Sequence, residues 1–221
     1  MSEPTRHSQA FDAEIITDPD LRARQEALNG LKQFDAVIRM VESFLDPDRQ
    51  PFKFRPSHLL HLHREALAGI SAYAGNWRPS EIEIGGSKHK PPAAWEVPAR
   101  IEELCDYINE KWNEKSPLHL AAYVMWRLNW IHPSTDGNGR TSRAASYMIL
   151  CVKLGYVMPG KNTIPDQIAA DKTPYYKALE AADDAWEHTQ KVDLTAMKDL
   201  LSAMLAKQLH EIYAQSTSGE E

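Results

Sequence analysis

The sequence predicts an all-α protein, a single helical bundle of about seven helices with a small β-hairpin. Along most of the chain, apolar residues recur at three- and four-residue steps, the spacing of an amphipathic helix. Two segments, LHLAAYVMWRLNWI and TSRAASYMILCVKLG, are apolar almost all round, which is typical of helices at the centre of a bundle. With 221 residues, 43% of them hydrophobic, the chain suits one core. We therefore expect one helical domain over residues 18–213, between flexible polar ends at 1–17 and 214–221.

Local start and stop signals place the helices in order along the chain. Most predicted starts carry a capping residue or a proline in the first turn; they lie at Asp18-Pro19, Arg55-Pro56, Ser116-Pro117, Thr173-Pro174 and Asp193. The first helix is expected to end at DPDRQP, and another helix places Ile101, Leu104, Ile108 and Trp112 on one side. The helix TSRAASYMILCVKLG ends at Gly155, a suitable C-terminal cap.

Residues 76–92, NWRPSEIEIGGSKHKPP, break the helical pattern. The segment 81–84 alternates charged and apolar residues, Gly85-Gly86 supplies a turn, and the chain then runs through Ser87 and His89 to a double proline. This order predicts a β-hairpin. An isolated hairpin is only marginally stable, so we expect it to lean on the bundle or to pair with a partner strand.

Composition excludes several classes of function. The net charge of −6 gives no overall field to gather nucleic acid or anionic membrane, and no apolar stretch is long enough to span a bilayer. The two cysteines are too few for a disulfide framework. The histidines of HLLHLHRE do not share one helix face, which predicts a partly buried helix surface and not a metal site. We expect a cytoplasmic protein.

The loop HPSTDGNGRTSR, residues 132–143, concentrates groups that bind phosphate. Gly137 and Gly139 permit positive φ and Asn138 tolerates it, so successive backbone N–H groups can point into one hollow. A helix that begins just after the loop adds its own N–H groups and the positive end of its dipole. Arg140 and Arg143, three residues apart, lie on one side of that helix and can both reach phosphate oxygens.

Two further loop residues suit a catalytic role. Asp136 beside a polyphosphate would be repelled unless a cation intervened, and a carboxylate near phosphates is a usual ligand of Mg²⁺. His132 stands at the end of the buried preceding helix, where the following proline turns the chain out of the helix. A neutral imidazole at this point can accept a proton from an incoming hydroxyl. Each residue alone has an ordinary structural explanation, but all of them within twelve positions indicate a site.

The loop resembles the signature of Fic-domain proteins, His-Pro-Phe-x-(Asp/Glu)-Gly-Asn-Gly-Arg-x-x-Arg, and departs from it only at Ser134. EIEIGGSKHKPP is similar to the Fic flap, and TPYYKALEAAD is similar to the segment that borders the nucleotide base. The resemblance covers most of residues 20–210. It implies a Fic-like bundle in which 76–92 is the flap and 132–143 is the catalytic loop.

The resemblance also implies an activity, protein AMPylation, with ATP as substrate and Mg²⁺ as cofactor. His132 would deprotonate a Ser, Thr or Tyr hydroxyl of a target protein, which then attacks the α-phosphorus, and Asp136 would hold Mg²⁺. The nucleotide-binding residues would be Gly137, Asn138, Gly139, Arg140, Arg143, Tyr175, Asp183, Gly86 and Ser87. Ile84, Gly85 and His89 of the flap would dock the target by strand addition.

Ser134 stands where the family has a phenylalanine that plugs the loop into the core. Loss of a buried aromatic anchor costs about 3–5 kcal/mol when the site cannot collapse, and a looser loop would misplace His132. An alternative function is therefore a catalytically impaired module that binds nucleotide and docks peptides. Transfer of UMP, phosphocholine or phosphate also stays open, because the loop recognises phosphate and not the base.

Many Fic proteins carry an inhibitory helix with the string (Ser/Thr)-x-x-x-Glu-(Gly/Asn). The sequence has no such string, and the nearest candidates are Glu26 in RARQEALNG, which would act on Arg143, and Glu220 in STSGEE. A separate inhibitor protein and a homodimer both remain open as partners.

Overall fold

The computed structural model describes residues 8–9, 14–49 and 51–217. In chain order the elements of this part are β1 (Ser8–Gln9), α1 (Pro19–Leu45), α2 (Pro56–Leu67), β2 (Glu83–Ile84), a 3₁₀ turn (Ala94–Glu96), α3 (Val97–Glu110), α4 (Pro117–Ile131), α5 (Asn138–Leu154), α6 (Ile164–Ala170), α7 (Thr173–Thr189) and α8 (Thr195–Thr217). The predicted all-α class is confirmed. The sequence analysis did not predict α6, because its seven residues are too few for a clear period, although Thr163 and Asp166 form a capping box at its start.

The start signals act as expected at several helices. The Asp18 carboxylate accepts the N–H of Leu21 at 2.9 Å, and the Ser116 hydroxyl accepts the N–H of His119 at 3.2 Å. At the C-terminal end, α8 continues to Thr217, so residues 214–217 extend this helix where a flexible tail was expected. Residues 1–7, 10–13 and 218–221, which make up most of the expected flexible ends, lie outside the described residues.

Helices α4 and α5 form the centre of the bundle. Trp126 of α4 and Tyr147 of α5 are almost completely buried, and the two helices pack along each other. Helices α1 and α2 pack on α5, whereas α3, α7 and α8 pack on α4. The catalytic-loop candidate at 132–137 joins these two central helices, so its position depends on the best-packed part of the molecule. No helix in the described ranges combines the length and apolar character needed to cross a bilayer.

The flap differs from the predicted hairpin in its pairing. Within 76–92 the strand is Glu83–Ile84, and its antiparallel partner is Ser8–Gln9 with Ser8 opposite Ile84. Residues 87–92 form no second strand, because their polar groups are engaged elsewhere: His89 Nε2 donates to the Trp130 carbonyl at 2.7 Å, and the double proline that follows has no N–H for a ladder. The flap therefore contacts α4, and its strand pairs with β1 near the N-terminus.

A pH-dependent contribution to stability comes from His58 in the first turn of α2. Its Nδ1 accepts the Arg55 N–H at 3.1 Å, and the ring packs edge-on against Phe44. Burial, followed by the positive charge of Arg55, lowers the pKa of His58 from 6.5 to about 4.

The unfolded chain binds a proton at His58 near pH 6.5, but the folded protein does so only near pH 4. The free energy of unfolding is therefore expected to fall as the pH decreases through this window. In urea titrations, His58→Asn is expected to lose less stability than the wild type between pH 6.5 and 4. Equal losses in the two proteins would contradict this assignment.

Candidate active site

His132 occupies the junction between α4 and the loop, in a left-handed backbone conformation with φ 50° and ψ 60°. A non-glycine residue adopts this conformation only where its surroundings enforce it. Its Nδ1 lies 3.2 Å from the Asn129 carbonyl oxygen. Because a carbonyl can only accept, Nδ1 carries the hydrogen and Nε2 carries the lone pair. His132 is 93% buried, so its ring holds a sheltered position as the candidate base.

Hydrogen bonds from Asn138 hold the loop in shape. Its side-chain oxygen accepts the Ser134 N–H at 2.9 Å, and its side-chain nitrogen donates to the Ser134 carbonyl at 2.7 Å. Ser134 itself is buried, with its hydroxyl 3.5 Å from the Asn76 carbonyl. The backbone at Ser134 is thus fixed from both sides by one amide.

His63 of α2 supports the next part of the loop. Its Nδ1 accepts the Gly75 N–H at 2.9 Å, so its Nε2 carries the hydrogen that is donated to the Asp136 carbonyl at 3.0 Å. The side chain is fully buried, which corrects the expectation of a partly exposed helix surface at this histidine. Gly137 packs against the same ring: at φ 75°, an added Cβ would lie 3.3 Å from His63 and 3.2 Å from Leu67. This close approach explains the glycine.

The candidate phosphate groups meet at the start of α5. Thr141 N–H donates to the Gly137 carbonyl at 2.9 Å, so the N–H groups of the residues before Thr141 precede the helical ladder. The half-buried Arg143 folds over Gly139, since an added Cβ there would lie 3.2 Å from its Nη1. Arg140 lies on the same turn, with Nη2 2.9 Å from Asp136 Oδ2.

Helix α1 also reaches this end of the site. Glu26 is 3.3 Å from Arg140 Nη1 and 3.3 Å from Arg22 Nε, and Arg22 Nη2 is 3.2 Å from Asp136 Oδ2. The expectation that Glu26 acts on Arg143 is therefore corrected: in the described part of the chain, Glu26 forms an ion pair with Arg140 of the loop. One turn of α1 places Arg22 and Glu26 side by side, facing the loop.

A cleft of about 630 Å³ opens between the flap and α7, beside the end of α4. Several predicted residues meet in it: its lining includes Gly86, Ser87, His89, Trp130 and Asp183. The Asp183 carboxylate accepts the Trp126 indole N–H at 2.9 Å, which holds α7 against α4. The two aromatic and several acidic side chains of this lining suit a flat heterocycle with hydrogen-bond donors.

Tyr175 lies elsewhere. It is 99% buried, and its hydroxyl accepts from the Asn129 side chain at 2.8 Å and lies 3.3 Å from Ser142. The predicted contact of Tyr175 with the nucleoside is therefore corrected to a supporting position under the end of α4. The reason is that the first turn of α7 packs this face into the core, and not toward the cleft.

A family comparison agrees with this geometry. A model of the Fic/DOC family matches residues 53–150, which include the flap, α4, the loop and most of α5. Residues 53–150 are thus similar to the Fic/DOC family, and the helical bundle has the Fic fold. The match covers the candidate base, the loop and the flap side of the cleft, whereas α7, which lines the other side of the cleft, lies outside the matched residues.

Similar proteins extend this assignment. The Drosophila willistoni protein named protein adenylyltransferase Fic is 30% identical over 128 residues, which cover 57% of this chain and 24% of that protein. This chain thus spans about a quarter of the length of the curated relatives it matches. Fic-1 of C. elegans, residues 134–508, has the same fold with a TM-score of 0.68 and 23% identity, covering 92% of this chain and 55% of that chain. A Fic domain of Bartonella quintana with bound ADP has a TM-score of 0.57 and 17% identity, and the match covers 89% of this chain and 90% of that chain.

Within this Fic domain, Arg78 is an anchoring residue that the sequence patterns did not identify. Its Nε donates to the His132 carbonyl at 2.9 Å and its backbone N–H to the Pro133 carbonyl at 2.8 Å. The other guanidinium nitrogens donate to the carbonyls of Ser80, at 3.0 Å, and Pro92. The side chain is fully buried, and this burial lowers its pKa while Glu81 raises it. One guanidinium thus joins both ends of the flap to the base.

Asp136 is the carboxylate of the loop that could hold Mg²⁺. No group of three or more potential protein ligands occurs among the described residues. Mg²⁺ beside phosphates commonly takes one or two carboxylates and completes its shell with phosphate and water, so Asp136 at the phosphate end fits this mode. In the present conformation its Oδ1 accepts the Gly137 N–H at 2.6 Å, and its Oδ2 faces the two arginines.

Proposed function

We propose that this Fic domain transfers AMP from ATP to a Ser, Thr or Tyr hydroxyl of a target protein. The observation that carries the proposal is the meeting, on one loop, of an imidazole with an oriented lone pair and a helix start bearing two arginines. The names of the curated relatives support nucleotide transfer to protein, and the ADP in the Bartonella quintana domain supports a nucleotide in a site of this fold.

The chemistry begins at His132. The target hydroxyl oxygen attacks the α-phosphorus of ATP, and Nε2 takes its proton. The bond between the α-phosphorus and the bridging oxygen breaks, pyrophosphate leaves, and AMP stays esterified to the target. The hydrogen bond from Nδ1 to the Asn129 carbonyl then stabilises the imidazolium that forms.

The loop and helix α5 bind the charge that develops on the phosphates. The first N–H groups of α5 and the positive end of its dipole face the α-phosphate region, and Arg140 and Arg143 bind the outer phosphates. Mg²⁺, held by Asp136, neutralises phosphate charge when it is bound. Catalysis of this type is mainly positioning and electrostatic stabilisation, which agrees with a site whose backbone is fixed by several buried hydrogen bonds.

The cleft between the flap and α7 holds the nucleoside, and the flap aligns the target. In this structure the edge of β2 pairs with Ser8–Gln9, so an incoming target strand must replace this segment or pair with another part of the flap. Gly85, Ile84 and His89 flank that edge.

The test uses ATP labelled at either the α- or the γ-phosphate, with Mg²⁺ and a cell lysate. AMP transfer places the α label, and not the γ label, on protein. Transfer of the γ label would show phosphate transfer, and labelling from UTP or CDP-choline in place of ATP would show a different transferred group. Transfer of the γ label, or labelling from UTP or CDP-choline in place of ATP, would replace AMPylation as the function.

The second candidate function, an impaired nucleotide-binding module, is tested through Ser134. The loop retains its hydrogen bonds from Asn138, His63 and Arg78 without an aromatic anchor, so we expect measurable transfer by the wild type. Ser134→Phe is expected to change the transfer rate by less than about tenfold, because it adds an apolar anchor to a position already fixed. Nucleotide binding without transfer, with transfer restored by Ser134→Phe, would favour the impaired module.

A further inference from the structure

Arg22 reaches the catalytic loop from α1, outside the region matched by the family model. Its three guanidinium nitrogens each face a carboxylate: Nη2 is 3.2 Å from Asp136, Nη1 is 2.6 Å from Glu14, and Nε is 3.3 Å from Glu26. The side chain is three-quarters buried by these contacts. A cation is thus already bound to the one carboxylate of the catalytic loop.

The contacts close into a ring of alternating charge. Arg22 binds Asp136 at 3.2 Å, Asp136 binds Arg140 at 2.9 Å, Arg140 binds Glu26 at 3.3 Å, and Glu26 binds Arg22 at 3.3 Å. Asp136 Oδ1 is engaged by the Gly137 N–H, and both guanidinium groups meet at Oδ2. The hydrogen-bonding capacity of this carboxylate is therefore largely used within the protein.

A divalent cation at Asp136 is incompatible with this ring. Mg²⁺ binds oxygen at about 2.0–2.1 Å with a strict octahedral shell, so at Oδ2 it would stand beside two positive guanidinium groups. Of the two arginines, Arg22 can leave Asp136 at the smaller cost in free energy, because Glu14 and Glu26 still bind its guanidinium after the ion pair with Asp136 is broken. Arg140 is held on the loop's own helix.

We propose that the Arg22 guanidinium competes with the divalent metal for the Asp136 carboxylate. Arg22 binds Asp136 until the metal displaces it. The side chain at position 22 therefore determines the metal concentration at which Asp136 becomes occupied by metal. This inference rests on the proposed function for the identity of the metal, Mg²⁺ delivered with a nucleotide.

The experiment titrates the full chain with Mn²⁺, which takes oxygen ligands as Mg²⁺ does and whose free form is measured by electron paramagnetic resonance. Without nucleotide, Arg22→Gln is expected to bind Mn²⁺ about tenfold more tightly than the wild type, because one nearby positive charge is removed. Arg24→Gln is the matched control, since it removes an exposed charge from the same helix; it is expected to match the wild type. Adding Asp136→Asn to Arg22→Gln is expected to remove the gain.

An unchanged Mn²⁺ affinity in Arg22→Gln, or an equal gain in Arg24→Gln, would overturn the proposal. Arg22→Lys keeps the charge but forms fewer hydrogen bonds, so a Mn²⁺ affinity between those of the wild type and Arg22→Gln is expected. This variant tests the proposal even if circular dichroism shows that Arg22→Gln folds poorly. A separate arm measures the melting temperature with ADP. A melting temperature unaffected by ADP would reject the nucleotide function, while the Mn²⁺ result would still decide the competition at Asp136.

Discussion

Replacing His132 with asparagine is expected to lower AMP transfer by about 10²- to 10⁴-fold, the range for loss of a general base. Asparagine tolerates the left-handed conformation that His132 adopts at φ 50°, so the loop is expected to keep its shape. The ADP-induced rise in melting temperature is expected to stay close to that of the wild type, because the phosphates bind to α5 and its arginines. Initial rates with α-labelled ATP measure the effect.

The control for this variant is His210→Asn, on the exposed side of α8, which is expected to retain wild-type transfer. Retention of more than about a tenth of the wild-type rate by His132→Asn would reject this residue as the base.

Replacing Arg78 with methionine is expected to lower both stability and transfer. The change leaves the carbonyls of His132, Ser80 and Pro92 without their buried donor, and each lost hydrogen bond from a charged group costs about 1.5–3 kcal/mol. We expect a decrease of about 3 kcal/mol in the free energy of unfolding, since part of the cost of burying the charge is also removed.

The activity of Arg78→Met distinguishes positioning from simple destabilisation. Because Arg78 joins the base to the flap, kcat is expected to fall at temperatures where the variant is fully folded, and KM for the target is expected to rise. Arg100→Met is the matched control: its pairs with Glu96 and Glu103 are partly exposed, and its loss is expected to cost less than about 1 kcal/mol and no activity. Wild-type kcat in folded Arg78→Met would contradict the positioning role.

The bundle and its candidate catalytic loop were predictable because their signals are local. Helical periodicity, a cap such as Asp18 or Ser116, and the twelve-residue loop from His132 to Arg143 each depend only on residues within a few turns along the chain. The cleft residues Gly86, Ser87 and Asp183 were reached through resemblance to the Fic motif, and the structure brings them together. The short α6 escaped prediction because seven residues give too few repeats.

Predictions that depended on contacts with distant segments were less accurate. The charged and apolar alternation at Glu83 and Ile84 predicted a strand but not its partner, because pairing with Ser8–Gln9 depends on a contact across some 75 positions of the chain. Tyr175 lies in a motif-like segment, yet the rotation of α7 turns its hydroxyl to Asn129 and away from the cleft. Helix rotation follows from packing with neighbours, which no local pattern records.

The amino-acid order alone determined the helical class, the candidate phosphate-binding loop and the histidine at its edge, since each depends on spacing within one stretch of chain. The anchoring of that loop emerged only on folding. Arg78 meets His132 across 54 positions, His63 meets Asp136 across 73, and Arg22 meets Asp136 across 114. A single buried or charged residue has no period, so its partner is determined by which helix faces pack together in the assembled core.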